Sequence, residues 1–141
     1  MIPQESAVSY LFTRMYFLIK KKSNHALNKY GLTPEQFIIL HHLFEHEGIS
    51  QKELAGLEDK DQTSVGKTLE RLENKEYIIR KSSHEDKRVI LLFLSPTGRD
   101  IYFEALPVMQ DVSRSIVDVL PPAEAKQFVH LLNEVFSKHS R

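Results

Sequence analysis

The sequence predicts a mainly α-helical protein with one small β-hairpin. Apolar residues recur three and four positions apart over most of the 141 residues, which is the spacing of helices with one buried side. Only residues 77–94 hold two short β-branched or aromatic runs around a polar turn. Glycine is scarce, with five residues, and this argues against an all-β architecture with many turns. The predicted order is four helices, a hairpin and two helices.

The first helix is predicted over residues 5–29 and ends at Gly31. Its apolar positions follow the i, i+3, i+4, i+7 spacing, and Tyr16, Phe17 and Leu18 make other sides of it apolar as well. A helix that is apolar on more than one side needs more partners than its own small domain supplies.

The next three helices have recognisable N-termini. Thr33, Pro34 and Gln36 form a capping box before the second helix, which is expected to end at Gly48. Ser50 and Glu53 form a second capping box, and Asp61 is the expected N-cap of a fourth helix over about residues 62–76. Two short helices joined by the tight polar turn 58–61 are typical of a helix-turn-helix.

The hairpin is predicted from residues 77–83 and 88–94. Ser95 and Pro96 then begin a fifth helix with a near-heptad apolar seam, and Pro107 is expected to kink it. Residues 120–122 separate it from the last helix. The first, fifth and last helices carry more apolar surface than a lone monomer needs, and this predicts a homodimer.

Composition excludes several classes of protein. There is no cysteine, which rules out disulfide scaffolds, thiol catalysis and cysteine-based zinc sites. No apolar run is long enough to span a membrane and no signal peptide is recognisable, so a cytoplasmic protein without membrane partners is expected. Nineteen basic residues balance nineteen acidic ones. Residues 50–91 are also neutral, so any nucleic-acid binding depends on where the charges point.

The fourth helix separates its residue types by side. Val65, Leu69 and Leu72 share one side, whereas hydroxyl groups and cations gather on another. Short polar groups followed by long cations suit a helix lying in a major groove of DNA. The expected contacts are Gln62, Thr63, Ser64, Lys67, Thr68 and Arg71, with Lys75 on the same stripe. Taken alone, the same opposition would also be found on an ordinary surface helix.

Residues 51–98 resemble the core of the MarR family of bacterial transcription regulators. The features that carry the resemblance follow the predicted helix pair at the family's spacing: Leu72-Glu73, Arg80, Asp86-Lys87-Arg88 and Leu94-Ser95-Pro96-Thr97-Gly98. Three positions depart from the family pattern, one of them Ser95, which replaces the usual threonine and can cap the helix equally well. Lys75-Glu76-Tyr77 stands where the family usually has a glycine, and Gly66 stands where a threonine is common. Gly66 either allows close approach to DNA or only weakens the helix, by about 1 kcal/mol relative to alanine.

The resemblance implies a winged helix-turn-helix domain over residues 31–95, with residues 1–30 and 96–141 as a helical dimerisation region. It implies sequence-specific binding of duplex DNA at a pseudo-palindromic operator. In this reading Arg88 enters a minor groove, Lys87 contacts phosphate and Asp86 holds the shape of the wing. Alternatively, Asp86 and Arg88 form an ordinary exposed ion pair.

Members of this family are commonly repressors that release DNA when a small effector binds. The resemblance therefore implies a possible small aromatic effector, and its expected pocket is lined by Phe12, Met15, Tyr16 and Phe37. The same residues could be plain core. We expect no catalytic residues, since the sequence has no Gly-rich phosphate loop, nucleophile elbow or paired carboxylates. No cofactor and no bound metal are expected.

Two alternatives remain open at the level of sequence. His41, His42 and His46 lie on the second helix, and the i, i+4 pair could share a metal in a metal-responsive regulator. Exposed or interface histidines are the simpler interpretation. The neutral charge of residues 50–91 leaves open a winged-helix module that binds protein and not DNA.

Overall fold

A computed structural model describes residues 3–140, and it confirms the mainly helical fold with one hairpin. The residues left out, 1, 2 and 141, belong to the predicted dimerisation region. The elements are α1 (Gln4–Leu27), a short 3₁₀ turn (Asn28–Tyr30), α2 (Pro34–Glu45), α3 (Gln51–Leu57), α4 (Gln62–Asn74), β1 (Ile78–Ser82), β2 (Ile90–Leu94), α5 (Pro96–Val117) and α6 (Pro122–His139). The predicted order of elements is therefore observed.

Side-chain caps begin four of the helices, as predicted. The hydroxyl groups of Thr33 and Ser50 accept hydrogen bonds from the third helical N–H, and the capping-box glutamine and glutamate return the contact. A carboxylate oxygen of Asp61 accepts a bond of 2.8 Å from the N–H of Ser64. Ser95 caps α5 in the same way. These bonds satisfy N–H groups that the helices cannot pair internally.

The wing consists of the antiparallel strands β1 and β2 with the tip between them. Ile78 lies opposite Leu94 and Ser82 lies opposite Ile90, so the strands are shorter than predicted at both tip ends. Leu91 also forms a bridge with Ser50, just ahead of α3. Because β2 is held on both sides, the base of the wing is fixed to the helix-turn-helix.

The core lies among α2, α3, α4, the wing and the adjoining ends of α1 and α5. The largest fully buried side chains are Leu27, Leu40, Leu43, Leu54, Val65, Leu69, Leu72, Leu92 and Tyr102. Three of these lie on α4, and they confirm the predicted inward side of that helix. This small core sets the orientation of α4 and the wing.

Helix α4 ends in a left-handed residue that is not glycine. Glu76 has a φ of 63°, and the N–H of Tyr77 donates to the carbonyl of Leu72 at 3.0 Å. Together with the bond from Glu76 N–H to Glu73 carbonyl (2.9 Å), this is a Schellman motif. Glu76 thus adopts the conformation that explains a glycine in the family pattern, at the steric cost of a Cβ atom.

The start of α5 fits tightly against this turn. The Ser95 hydroxyl donates to the Glu76 carbonyl at 2.6 Å, and the Ser95 N–H donates to the Tyr77 carbonyl at 3.0 Å. A Cβ atom on Gly98 would lie 1.8 Å from that same Tyr77 oxygen. The Ser-Pro-Thr-Gly segment therefore needs glycine because two backbones meet there.

The outer helices are apolar but exposed. Helix α5 continues through Pro107, and α6 buries only Ala125 among the residues described. The exposed apolar side chains of α1 and α6 include Val8, Leu11, Phe12, Phe17, Phe128, Leu131, Val135 and Phe136. Within residues 3–140, the structure contains no helix with the length and apolar character needed to cross a membrane.

Candidate nucleic-acid interface

The outward side of α4 presents a hydroxyl group and two cations in a row. Thr63, Lys67 and Arg71 are exposed at successive i, i+4 positions. Val65 and Leu69, on the opposite side, are 1% and 0% exposed. Packing of the apolar side against the core therefore forces the polar side toward solvent.

The other predicted contacts of α4 lie at its start or along its edge. Thr68 is half-buried, and its hydroxyl donates back to the Ser64 carbonyl at 3.5 Å. The Gln62 carbonyl accepts a bond of 3.5 Å from the Gln51 amide of α3. The structure thus brings Thr63, Lys67 and Arg71 together and sets Thr68 to one side.

Gly66 lies on the edge of α4 that packs on its neighbours. A Cβ atom there would lie 3.1 Å from the Gln51 amide nitrogen. The Gly66 carbonyl accepts a bond of 3.2 Å from Arg80, whose Nε also lies 3.7 Å from the Glu73 carboxylate. A larger residue at this position would require the Gln51 side chain to shift by a few tenths of an ångström.

Lys75 does not belong to the outward stripe, contrary to the sequence-based prediction. Its ammonium group donates to the Gly31 carbonyl and, at 3.2 Å, to the Gln36 side-chain oxygen. Lys75 is the C-cap of α4, and its long side chain reaches back to the turn between α1 and α2. Helical spacing alone could not show this contact, because Gly31 lies far away in the sequence.

The wing tip carries a cation braced by a neighbouring acid. Asp86 accepts bonds from the Arg88 backbone N–H (3.0 Å), Nε (3.0 Å) and Nη2 (3.1 Å). The bonds from the Arg88 side chain, and then from its backbone, lower the pKa of Asp86. The Arg88 side chain is nevertheless 90% exposed, and Lys87 beside it is also exposed.

Several acidic side chains of residues 50–91 make contacts within the protein, and these contacts bear on the neutral charge of that segment. Glu53 and Asp61 cap α3 and α4, and the hydrogen bonds they accept from Ser50 and Ser64 lower the pKa of each carboxyl. The other acids with such contacts are Glu58 with His42, Glu73 with Arg80 and Asp86 with Arg88. Lys67 and Arg71 meanwhile face outward on α4, so the charges of this neutral segment are not evenly distributed over its surface.

A cleft between the helix-turn-helix and the wing brings in residues that sequence reasoning missed. It has a volume of about 330 Å³ and is lined by Ser50, Gln51, Lys52, Gln62, Arg88, Val89 and Ile90. Lys52 directly follows the start of α3, but no periodic pattern singles it out. Its position beside Arg88 depends on the bridge between Ser50 and β2.

The predicted effector pocket is brought together only in part. Phe37 lines a cavity of about 500 Å³, and Tyr16 lines a second one of about 410 Å³. Ile38 and Met109 line both cavities. Phe12 and Met15 line neither of these two cavities.

The histidines of α2 contact other side chains of the protein. His41 contacts the Tyr102 hydroxyl at 2.7 Å and Glu45 at 2.9 Å, and His42 contacts Glu58 at 3.6 Å. Among the side chains that the structure describes, those of residue 3 and residues 7–140, no three His, Cys, Asp or Glu groups lie so that they could hold a metal ion. The metal-responsive alternative thus has no site among these residues.

Comparisons with known proteins agree with this architecture. The model of the MarR family matches residues 32–90. The chain is 31% identical to the HTH-type transcriptional regulator SarZ of Staphylococcus epidermidis over 115 residues, covering 77% of this chain and 75% of SarZ.

Solved structures of similar shape include a regulator bound to DNA. The S. aureus MepR–DNA complex superimposes with a TM-score of 0.85 at 25% identity, covering 92% of this chain and 96% of MepR. BpsR of Bordetella bronchiseptica, whose DNA binding is regulated by 6-hydroxynicotinic acid, gives a TM-score of 0.85 at 25% identity, covering 96% of both chains. The sequence relatives, the fold and the exposed cations of α4 and the wing together show that this chain belongs to the MarR family of helix-turn-helix transcriptional regulators.

Proposed function

We propose that this protein is a cytoplasmic, homodimeric repressor that binds a pseudo-palindromic operator and is released by a small aromatic effector. One observation carries the proposal: the exposed row Thr63, Lys67 and Arg71 lies on the same molecule as a wing whose Arg88 is 90% exposed. Such a pair of elements can occupy a major groove and its neighbouring minor groove.

Residues 31–95 would form the DNA-binding domain, and residues 1–30 and 96–141 the dimerisation region. The exposed apolar side chains of α1 and α6 support this division, since burying them against a second copy removes them from water. Two recognition helices related by a two-fold axis then face two half-sites.

Each α4 would lie in a major groove with Gln62, Thr63, Ser64, Lys67 and Arg71 toward DNA, while Thr68 sits at the edge. Lys87 would contact phosphate. The bonds from Arg88 to Asp86 use Nε and Nη2 and leave the Nη1 end of the guanidinium pointing outward. The carboxylate thereby holds the arginine in one orientation for a narrow, electronegative minor groove.

The effector would bind where the two regions meet. The cavities that share Ile38 and Met109 lie between α1, α2 and α5. A ligand there contacts both the helices of the dimerisation region and the helix that supports α4. Regulation of BpsR by 6-hydroxynicotinic acid supports a small aromatic compound of this kind.

Titration of the protein against genomic DNA fragments by gel shift tests the DNA-binding proposal. Saturable, sequence-selective binding should weaken by at least about tenfold between about 50 and 200 mM salt. Arg71→Ala and Arg88→Ala should each weaken binding by about tenfold, and Arg71→Ala should lower the salt slope by about 1.

Lys138→Ala, which removes one exposed charge from α6, is the matched control and should leave affinity and slope unchanged. Equal affinity for wild type, Arg71→Ala and Arg88→Ala would refute the proposed contacts. It would favour the protein-binding alternative for the winged domain.

The effector proposal is tested on the same DNA with 6-hydroxynicotinate as the first probe and a panel of small aromatic acids and phenols. At least one compound should release the operator. Met109→Trp, which fills the junction of the two cavities, should abolish that response while DNA affinity without ligand is retained. Release that is unchanged in Met109→Trp would place the effector elsewhere.

A further inference from the structure

We infer that Lys75 is a positioning residue that fixes the recognition helix α4 to the turn joining α1 and α2. The inference concerns the orientation of α4, and its DNA readout rests on the proposed function. It assigns to Lys75 a role distinct from the phosphate contact that its place in the sequence suggested.

The Lys75 ammonium group binds a part of the chain that is already fixed by other hydrogen bonds. It donates to the Gly31 carbonyl and to Gln36 Oε1 at 3.2 Å. Gln36 is 5% exposed, and the same oxygen accepts a bond of 3.1 Å from the Thr33 backbone N–H. Lys75 therefore joins a capping box that already fixes the start of α2.

Gly31 closes the 3₁₀ turn that continues α1. It has a φ of 66°, and its N–H donates to the Asn28 carbonyl at 3.0 Å. Carbonyl groups at the end of a helical turn carry partial negative charge and lack partners within the helix. A bond from an ammonium group to such a carbonyl is charge-assisted, and it is stronger than one between neutral groups.

The opposite side of the same helix end is held by α5. Immediately after Lys75, the carbonyls of Glu76 and Tyr77 accept bonds from the Ser95 hydroxyl (2.6 Å) and N–H (3.0 Å). The C-terminal end of α4 is thus clamped between the end of α1 and the start of α5. These two helices belong to the proposed dimerisation region.

Side chains reach both ends of α4. At the N-terminal end, the Gln51 amide of α3 donates to the Gln62 carbonyl at 3.5 Å, at the limit of a hydrogen bond. At the C-terminal end, Lys75 supplies the link to the turn joining α1 and α2, and Ser95 supplies the link to the start of α5. Without Lys75, α4 keeps its contact to Ser95 but loses its side-chain link to the turn, and its angle to α1 becomes less defined.

The first test measures the distance between α1 and α4 within one chain. Its result depends neither on DNA binding nor on labels in a partner subunit. The chain has no cysteine, so Asn24→Cys in α1 and Glu70→Cys in α4 provide two unique spin-label positions. Labelled chains are diluted in excess unlabelled protein, and the distance within one chain is measured by double electron–electron resonance. The Lys75→Met background should broaden the distance distribution, and Lys75→Arg should restore the narrow one.

The second test measures the consequence for DNA recognition. With synthetic operators whose half-site spacing is changed by about 2 base pairs, wild type should lose affinity by about tenfold or more and Lys75→Met by about threefold or less. The salt slope of Lys75→Met should equal that of wild type, because Lys75 does not neutralise a phosphate. Lys67→Met, the matched control on the outward side of α4, should lower the slope by about 1.

The results of the two tests distinguish a failure of the Lys75 positioning role from a failure of the proposed function. An unchanged distance distribution in Lys75→Met refutes the positioning role, whatever the DNA experiment shows. A lowered salt slope in Lys75→Met also refutes it and makes Lys75 a phosphate contact. Failure of wild type to bind DNA refutes the proposed function, while the distance measurement still decides the role of Lys75. If Lys75→Met does not fold, Lys75→Ala, whose side chain ends at Cβ and has no donor, replaces it in both tests.

Discussion

The winged domain and the outer helices solve the same problem of apolar surface in different ways. In the winged domain, Leu54, Leu69 and Leu92 are completely buried by residues of the same chain. In the outer helices, Phe12 is 52%, Val135 is 53% and Phe136 is 64% exposed. Both regions have amphipathic helices, and the excess of apolar residues on the outer helices already distinguishes them in the sequence.

The difference indicates which part of the protein would be covered in the proposed homodimer. The winged domain has a closed core and close contacts between backbone segments. We therefore expect the addition of a single side-chain atom at such a contact to lower its free energy of unfolding. The outer helices have exposed apolar surfaces, so we expect substitutions on those surfaces to change the affinity between protomers. The following predictions test that contrast, from the largest expected effect to the smallest.

The largest effect is expected at the junction of the wing and α5. Gly98→Ala places a Cβ atom 1.8 Å from the Tyr77 oxygen, so either α5 or the wing must shift. The free energy of unfolding, measured by urea denaturation, should fall by about 3 kcal/mol. Gly56→Ala in α3 is the control, since a Cβ there meets nothing within 4 Å, and it should raise stability by up to about 1 kcal/mol. Equal effects of the two changes would contradict the tight junction.

The next effect concerns association through α6. Leu132→Asp places a charge on the exposed apolar surface and should weaken dimerisation by about 30-fold or more, measured by sedimentation equilibrium. Asn133→Asp adds the same charge one position along and should have little effect. A monomeric wild type, or a Leu132→Asp dimer as tight as wild type, would show that α6 is not the interface.

A smaller and opposite effect is expected where α4 leaves the core. Glu76→Gly removes the Cβ strain at a φ of 63° and should raise the free energy of unfolding by up to about 1 kcal/mol. Asp59 has a φ of 53° in the turn between α3 and α4, but aspartate tolerates this conformation better. Asp59→Gly should therefore stabilise less. A destabilised Glu76→Gly would mean that the glutamate side chain contributes more than its strain costs.

The smallest effect is a pH dependence at α2. Burial lowers the pKa of His42 below its ordinary value of 6.5, and the nearby Glu58 opposes this only in part. The unfolded chain then binds more protons than the folded one, so His42 lowers stability as pH falls below about 7. The melting temperature should drop less between about pH 7.5 and 5.5 in His42→Gln than in wild type. His139→Gln, at the exposed end of α6, should keep the wild-type drop, and an equal drop in all three proteins would contradict the assignment.

Local chemistry explains what could be predicted from the residues. The caps at Thr33, Ser50, Asp61 and Ser95 each depend on a partner within three positions, so their spacing in the sequence identifies them. The inward side of α4 could be predicted for a similar reason, since Val65, Leu69 and Leu72 recur at helical spacing. The resemblance to the MarR family added the expected arrangement of helices and wing.

The failures concern side chains whose surroundings come from distant segments. Lys75 shares the helical stripe of Lys67 and Arg71, yet its length lets it reach Gly31 on another element. Phe12 and Met15 share the apolar character of Tyr16, but of the three only Tyr16 lines the cavity between α1 and α2. Lys52 could not be selected from the sequence, because it lines a cleft with Arg88 only through the pairing of β2 with Ser50.

The sequence by itself determined the order of the elements, the ends of most helices and the buried side of α4, because these follow from contacts within one or two turns. Tertiary structure decided which of several similar cations face outward and which acids pair with distant segments, as Glu58 does with His42. It also decided that Gly98 must lack a Cβ atom. Those features depend on the separation of segments far apart in the chain, which is fixed only when the core closes.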